Sequence, residues 1–351
     1  METGAGGVIG GVFGLQAPDL SGGLPAPPFA RGHVRYFLSV RCALMGLCQA
    51  LNPRAAWLPS YLCGVLADPF TRQGIAIKFY GVSYDLTLSS EEWIADVNPG
   101  DLVLVIHYFG FPHRAFPAAR IKERGACIVE DASQALFLPQ VFPESSCILY
   151  SPRKFFGVPD GGVLVSAGDL GLDRTPLAAP PQAWWKLAVA VLQSRRDADL
   201  TAAPANGWYR LFQEYEASYP VGLYGISELS RMLLEATDFE PIRSRRRANY
   251  LALLETLSAF ALYPEMPEDV VPLGFPVRVD AAERDGILNR LYGRRIYAPV
   301  HWRLAGVAPA TFTESHELSR STLTLICDQR YTPSDMAREA AEFRTARSHA
   351  R

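Results

Sequence analysis

The stretch that most constrains the fold is Leu102-Val103-Leu104-Val105-Ile106, apolar at every position. A strand with one solvated face alternates apolar with polar residues, so an unbroken run belongs to a strand covered on both faces. Comparable runs recur at Ala55 to Leu58, Ile75 to Tyr80, Ala126 to Val129, 146–150 and 161–166, with helical spacing between several of them. Strands alternating with helices predict an α/β architecture with a mostly parallel sheet. Such sheets hold ligands beyond the carboxyl ends of their strands, so functional side chains are expected in the loops after Leu58, Ile106 and Val129.

The run at 126–129 continues into Glu130-Asp131-Ala132-Ser133-Gln134, and about two dozen residues later comes Tyr150-Ser151-Pro152-Arg153-Lys154, followed by Gly161-Gly162. An aspartate and a lysine delivered at neighbouring strand ends suit pyridoxal 5'-phosphate (PLP). Its pyridine nitrogen must stay protonated to draw electrons, which a paired carboxylate favours; Asp131 is the candidate. Its aldehyde must be held as an imine by a lysine that loses its proton near neutral pH, which burial encourages; Lys154 is the candidate. Gln134 is placed to hydrogen-bond the ring's 3-oxygen, and Ser151 to bind the phosphate. Taken singly, an Asp after a strand is a turn or cap residue and a Lys a surface residue, so the pairing carries the argument.

From Tyr36 to Leu51, the residues Leu38, Ala43, Leu44, Leu47, Cys48 and Leu51 have helical spacing, with Ser39 as N-cap. A helix start offers free N–H groups and a positive dipole end, which adds Ser39, Val40 and Arg41 to the phosphate candidates; an ordinary capped helix is the competing reading. Tyr61, His107 and Tyr108 lie in loops where a ring could stack on the cofactor or simply anchor the loop. His301 and Trp302 are candidate walls of a substrate pocket.

Length and charge fit a small-molecule enzyme. A chain of 351 residues exceeds one ordinary core, and three parts are expected. Residues 1–30, rich in Gly, Pro and Ala, form a mobile or extended arm outside the core, ordered only by a partner surface. Residues 31–245 form the large domain and 246–351 a smaller α+β domain. A formal net charge of −2 gives no global field for nucleic acid or anionic lipid. The six cysteines show no Cys-x-x-Cys spacing, so neither a metal site nor a disulfide framework is expected. The acidic start Met1-Glu2-Thr3-Gly4 is unlike a secretory signal, and no apolar run reaches membrane-spanning length; a cytoplasmic protein is expected. Dinucleotide, P-loop and serine-hydrolase motifs lack their structural context. Trp184 and Trp185 read as packing or dimer-contact residues, and Arg243, Arg245, Arg246 and Arg247 as a solvated helix face.

Taken together these segments resemble the DegT/StrS-type sugar aminotransferases, within the fold-type I PLP enzymes, over nearly the whole chain after residue 30. The landmarks are Leu38 to Leu44, Leu58-Pro59-Ser60-Tyr61, His107 to Pro112, Glu130 to Ala135, Ser151 to Lys154 with Gly161-Gly162, Arg245 to Tyr250, and Cys327 to Tyr331. The resemblance implies a seven-stranded-type sheet and a homodimer with its sites at the subunit boundary. It also implies Lys154 on the cofactor aldehyde, Asp131 at the pyridine nitrogen and Gln134 by the 3-oxygen, with an amino group passing from glutamate to a nucleotide-linked keto-sugar. The chain departs from the pattern at Val40, where a small residue is usual, and at Leu149 and Cys63. It also departs at Gly222 to Ser227, where a Gly-Tyr-Asn-x-Arg-like segment normally supplies a cross-subunit phosphate contact. Those departures motivate a second reading, a PLP-fold regulatory or scaffold protein without turnover. A sugar dehydration is disfavoured, because such relatives usually replace the lysine by histidine.

Overall fold

A computed structural model describes residues 7–19, 24–201 and 206–349. Its centre is a seven-stranded sheet in the order His33–Phe37, Gly162–Ser166, Cys147–Tyr150, Cys127–Ala132, Leu102–Ile106, Ala55–Pro59, Ala76–Tyr80. Only Gly162–Ser166 runs against the rest, pairing antiparallel with both neighbours. Four of the apolar runs are strands buried on both faces, as their composition requires: Ala55–Pro59, Leu102–Ile106, Cys147–Tyr150 and Gly162–Ser166 are buried at every position, whereas the run at Ala76–Tyr80 is an edge strand, exposed at Ala76 and half-buried from Ile77 to Phe79. The edge strand His33–Phe37 is an addition to the predicted set. It carries exposed His33 and half-buried Val34, Arg35 and Tyr36, and so lacks the continuous apolar signature of a central strand.

Register fixes where the loops emerge. Ile106 is level with Asp131, Asp131 with Leu149, and Ala132 with Tyr150, so the loops after these three strands leave the same sheet edge side by side. The helix Val40–Leu51 starts directly after Ser39, whose hydroxyl accepts from the Cys42 N–H at 3.2 Å as the predicted cap.

The C-terminal lobe pairs Phe275–Arg278 with Thr322–Leu325 and packs the helices Glu240–Leu257, Arg284–Gly293 and Pro333–Ser348 around them. The expected boundary at residue 245 falls inside Glu240–Leu257, which runs unbroken between the lobes. Arg246 on this helix corrects the expectation of a solvated basic face. It is fully buried, donating to the carbonyls of Phe155, Pro272 and Leu273 and to Gln329 Oε1.

The described part of the N-terminal arm is also held by the chain itself. Ile9–Gly10 pairs in parallel with Ile296–Tyr297, and Ile9 and Phe29 are buried core side chains. Gln16 N–H donates to the Gly157 carbonyl at 2.8 Å, and a Cβ on Gly157 would fall 1.7 Å from the Gly14 carbonyl oxygen. Gly157 on the core side permits this approach, and Gly14 permits another, since a Cβ there would fall 2.8 Å from Arg196 Cα. Among the described residues no helix is long and apolar enough to cross a membrane.

Inside the C-terminal lobe, Glu339 is fully buried, with Oε1 accepting the Ile326 N–H at 2.9 Å and Oε2 lacking a partner among the described residues. Burial pushes its carboxyl up to about 8. The folded state therefore holds a proton that the unfolded chain releases above the ordinary carboxylate range. Stability is full below that range and is lost as pH rises toward 8. Glu339→Gln is expected to flatten this loss: between about pH 5.5 and 8 its melting temperature should stay level while the parent falls by several degrees. Identical slopes for the two proteins would show that Glu339 is charged in the fold.

Candidate active site

Alternation along Cys127–Ala132 sends Glu130 and Asp131 to opposite faces of the sheet. Glu130, fully buried, accepts from His107 Nε2 at 2.8 Å and from the N–H groups of Val141 and Phe142. His107 Nδ1 accepts the His113 N–H at 3.0 Å, so the ring proton lies on Nε2 and both nitrogens are used within the protein. His107 is thus a loop anchor. Its ring lies near Phe142, leaving no nitrogen for a substrate.

Asp131 points the other way. Its Oδ1 accepts the Ser133 N–H at 2.8 Å, and its charge acts on Lys154. Lys154 follows the strand Cys147–Tyr150 in a short turn, Pro152–Lys154, closed by its N–H on the Ser151 carbonyl at 3.1 Å. Burial lowers the proton affinity of its amine, more than the attraction of Asp131 raises it. An amine that gives up its proton more readily than an exposed lysine, facing a carboxylate, is what covalent capture of an aldehyde requires.

Gln134 is buried, and its Oε1 accepts the Phe109 N–H at 2.8 Å. That contact fixes the amide orientation and leaves Nε2 as a buried donor without a partner among the described residues. Phe109 itself has φ 57°, a left-handed backbone costly for a bulky residue, held by Gln134 on one side and by the Leu273 N–H on its carbonyl.

The remaining candidates form a wall. Tyr61 and Tyr108 are buried, with ring centroids 5.7 Å apart, and Trp302 lies 5.5 Å from Tyr61 and 6.2 Å from Tyr108. The Tyr108 hydroxyl donates to the Tyr61 carbonyl at 2.6 Å, and that of Tyr61 to the His301 carbonyl. His301 Nδ1 meets Thr324 Oγ1 at 2.9 Å, and its ring contacts Phe109 edge-on at 5.6 Å. Burial, with Lys154 nearby, takes its imidazolium down to about 3, so His301 is neutral at physiological pH.

At the other end, Ser39 spends its hydroxyl on its own helix, while Val40 and Arg41 occupy the first turn. The turn Gly161-Gly162 packs against this start: Gly161 N–H donates to the Leu38 carbonyl at 2.8 Å, and a Cβ on Gly162 would lie 2.1 Å from the carbonyl carbon of Ser39. Sequence reasoning passed over Arg153 and Tyr219. The Arg153 guanidinium lies over the Tyr219 ring at 4.9 Å, and Arg41 over the same ring at 4.4 Å. Arg153 adjoins the lysine and could have been suspected; Tyr219 carries no local signal.

These residues fit PLP. Three buried donors in the same segments lack partners among the described residues: Gln134 Nε2, Arg153 Nε and the Tyr219 hydroxyl. A ring oxygen and a phosphate would answer them.

No family model matches the sequence, and no curated protein matches it. Solved structures do. DesV of S. venezuelae, in complex with a ketimine intermediate, aligns with a TM-score of 0.66 at 18% identity over 91% of this chain and 85% of that chain. A DegT DnrJ EryC1 StrS aminotransferase from Brucella abortus aligns at 0.63, with 17% identity over 90% and 86%. The PLP form of the putative sugar aminotransferase Spr1654 from Streptococcus pneumoniae aligns at 0.66, with 12% identity over 91% and 88%. The chain therefore has the fold of the sugar aminotransferases of the fold-type I class.

Gly162→Ala should displace the start of Val40–Leu51 and cost about 1–3 kcal/mol, lowering the urea midpoint. Gly168→Ala, where a Cβ meets nothing within 4 Å, is the control and should leave the midpoint unchanged.

Proposed function

We propose that the chain is a PLP-dependent aminotransferase that moves an amino group from glutamate to a nucleotide-linked keto-sugar, and that it works as a cytoplasmic homodimer. The observation that carries this reading is the juxtaposition of Lys154 and Asp131: burial lowers the proton affinity of an amine that faces a carboxylate. The fold shared with sugar aminotransferases supports it.

When bound, PLP supplies an electron sink for carbanionic character at the carbon that bears the amino group. The protein does the rest. Asp131 would hold the proton on the ring nitrogen, and the free Nε2–H of Gln134 would donate to the ring oxygen. Lys154 would hold the aldehyde carbon and, once the substrate's amine displaces it, would as a neutral amine take the proton from the carbon that bears the amino group. Neutral His301 would contribute hydrogen bonding without adding a competing charge beside the lysine. The aromatic wall of Tyr61, Tyr108 and Trp302 would exclude water from this face.

The test is spectroscopic. The purified protein with PLP should show the absorbance band of a lysine-bound aldehyde, fixed onto Lys154 by borohydride and absent in Lys154→Ala. Glutamate should convert that band to the pyridoxamine form, and the variant should lose turnover by roughly 10²–10⁴-fold or more. A protein that never takes up PLP would end the enzyme reading. Stable PLP that glutamate leaves unchanged would favour the scaffold.

A further inference from the structure

Between the start of Val40–Leu51 and the lysine turn, three side chains from distant parts of the chain meet. Tyr219 is more than nine-tenths buried, at 8% exposure, and the guanidinium groups of Arg41 and Arg153 both lie over its ring. Its hydroxyl has no hydrogen-bond partner among the described residues, and neither has the buried Nε of Arg153. A buried hydroxyl beside two cations and a helix start lacks the one thing this setting favours, an anionic acceptor.

The cluster is held rigidly. Trp184, buried, stacks on Tyr215 at 5.2 Å and meets Tyr219 edge-on at 4.8 Å. The Tyr215 hydroxyl donates to the Pro159 carbonyl at 3.2 Å, docking the end of the helix Asn206–Ala217 onto the loop that follows Lys154. The carboxylates nearby leave the positive charge available. Arg153 meets Glu216 at 3.3 Å and Arg41 meets Asp68 at 3.5 Å, both acids being more than two-fifths exposed, so these pairs are weak. Asp160, buried behind them, is occupied by the Ser227 hydroxyl at 2.8 Å and the Ser227 N–H at 3.0 Å.

We propose that Arg41, Arg153 and Tyr219 of a single chain form the cup for the phosphate monoester of the cofactor, beside the N–H groups that open Val40–Leu51. The inference rests on the PLP reading and deepens it. It places within one subunit a role for which Gly222 to Ser227, with Tyr224 and Ile226 in that stretch, offers no asparagine or arginine. Two guanidinium groups and a hydroxyl match a dianion in charge and in donor character.

The test separates phosphate from aldehyde. Protein stripped of cofactor is melted with and without inorganic phosphate, and equilibrium affinities are measured for PLP and for pyridoxal, which lacks the phosphate. The parent should be stabilised by phosphate and should prefer PLP. Arg41→Gln and Arg153→Gln should each weaken PLP roughly ten- to a hundredfold, with little change for pyridoxal, and should lose the phosphate stabilisation. Tyr219→Phe keeps the ring and the fold, and should weaken PLP severalfold. Variants that keep the parent's preference for PLP and its response to phosphate would overturn the cup. A parent that takes up neither aldehyde would defeat the enzyme reading, and with it the cup as a cofactor site, even if phosphate still stabilised it; loss of the cup alone shows instead as PLP uptake that these variants leave unchanged.

Discussion

The register of the central parallel strands governs everything built on them. Because Ile106, Asp131 and Leu149 lie level across three adjacent strands, residues 107–110, 131–134 and 151–154 emerge as neighbours although about twenty residues separate each from the next. The same ladder imposes alternation. Glu130 is turned to the face where it fastens the His107 loop, and Asp131 to the face where its charge meets Lys154. A shift of one residue would exchange the two carboxylates and dismantle both arrangements.

Competing electrostatic effects then set the character of the site. At Lys154, desolvation acts against the ammonium and Asp131 acts for it, and desolvation is the larger. His301 experiences desolvation and the lysine in the same direction, so it stays uncharged. The amine is made easier to deprotonate than an exposed lysine while its neighbour stays uncharged, a separation of roles that acid–base chemistry uses.

How much of this was legible in the sequence follows from how local each feature is. The buried strands were readable because burial on two faces writes itself into consecutive residues, and the Ser39 cap because a helical spacing of apolar residues follows it. The edge strand His33–Phe37 was not, since half-exposed residues carry no such mark. Arg246 was misread because basic neighbours look alike until the fold removes one of them from water. Tyr219 stands over Arg41 and Arg153 only through the packing of Trp184 and Tyr215, an arrangement that no spacing encodes. The arm was misjudged for a related reason: its glycines signal freedom in isolation, yet Gly14 uses its missing side chain to lie against the backbone of Arg196.

The clasp made by Arg246 limits how the molecule can move. One dry cation joins the turn after the lysine, through Phe155, to the loop before Phe275 and to Gln329. Gln329 Nε2 doubles the attachment by donating to the same Phe155 carbonyl at 2.6 Å. Pivoting the C-terminal lobe away from the lysine would break the guanidinium's hydrogen bonds to Pro272, Leu273 and Gln329, each worth about 1.5–3 kcal/mol. Opening this seam must break these hydrogen bonds together, so Arg246 ties the lysine turn to the lobe.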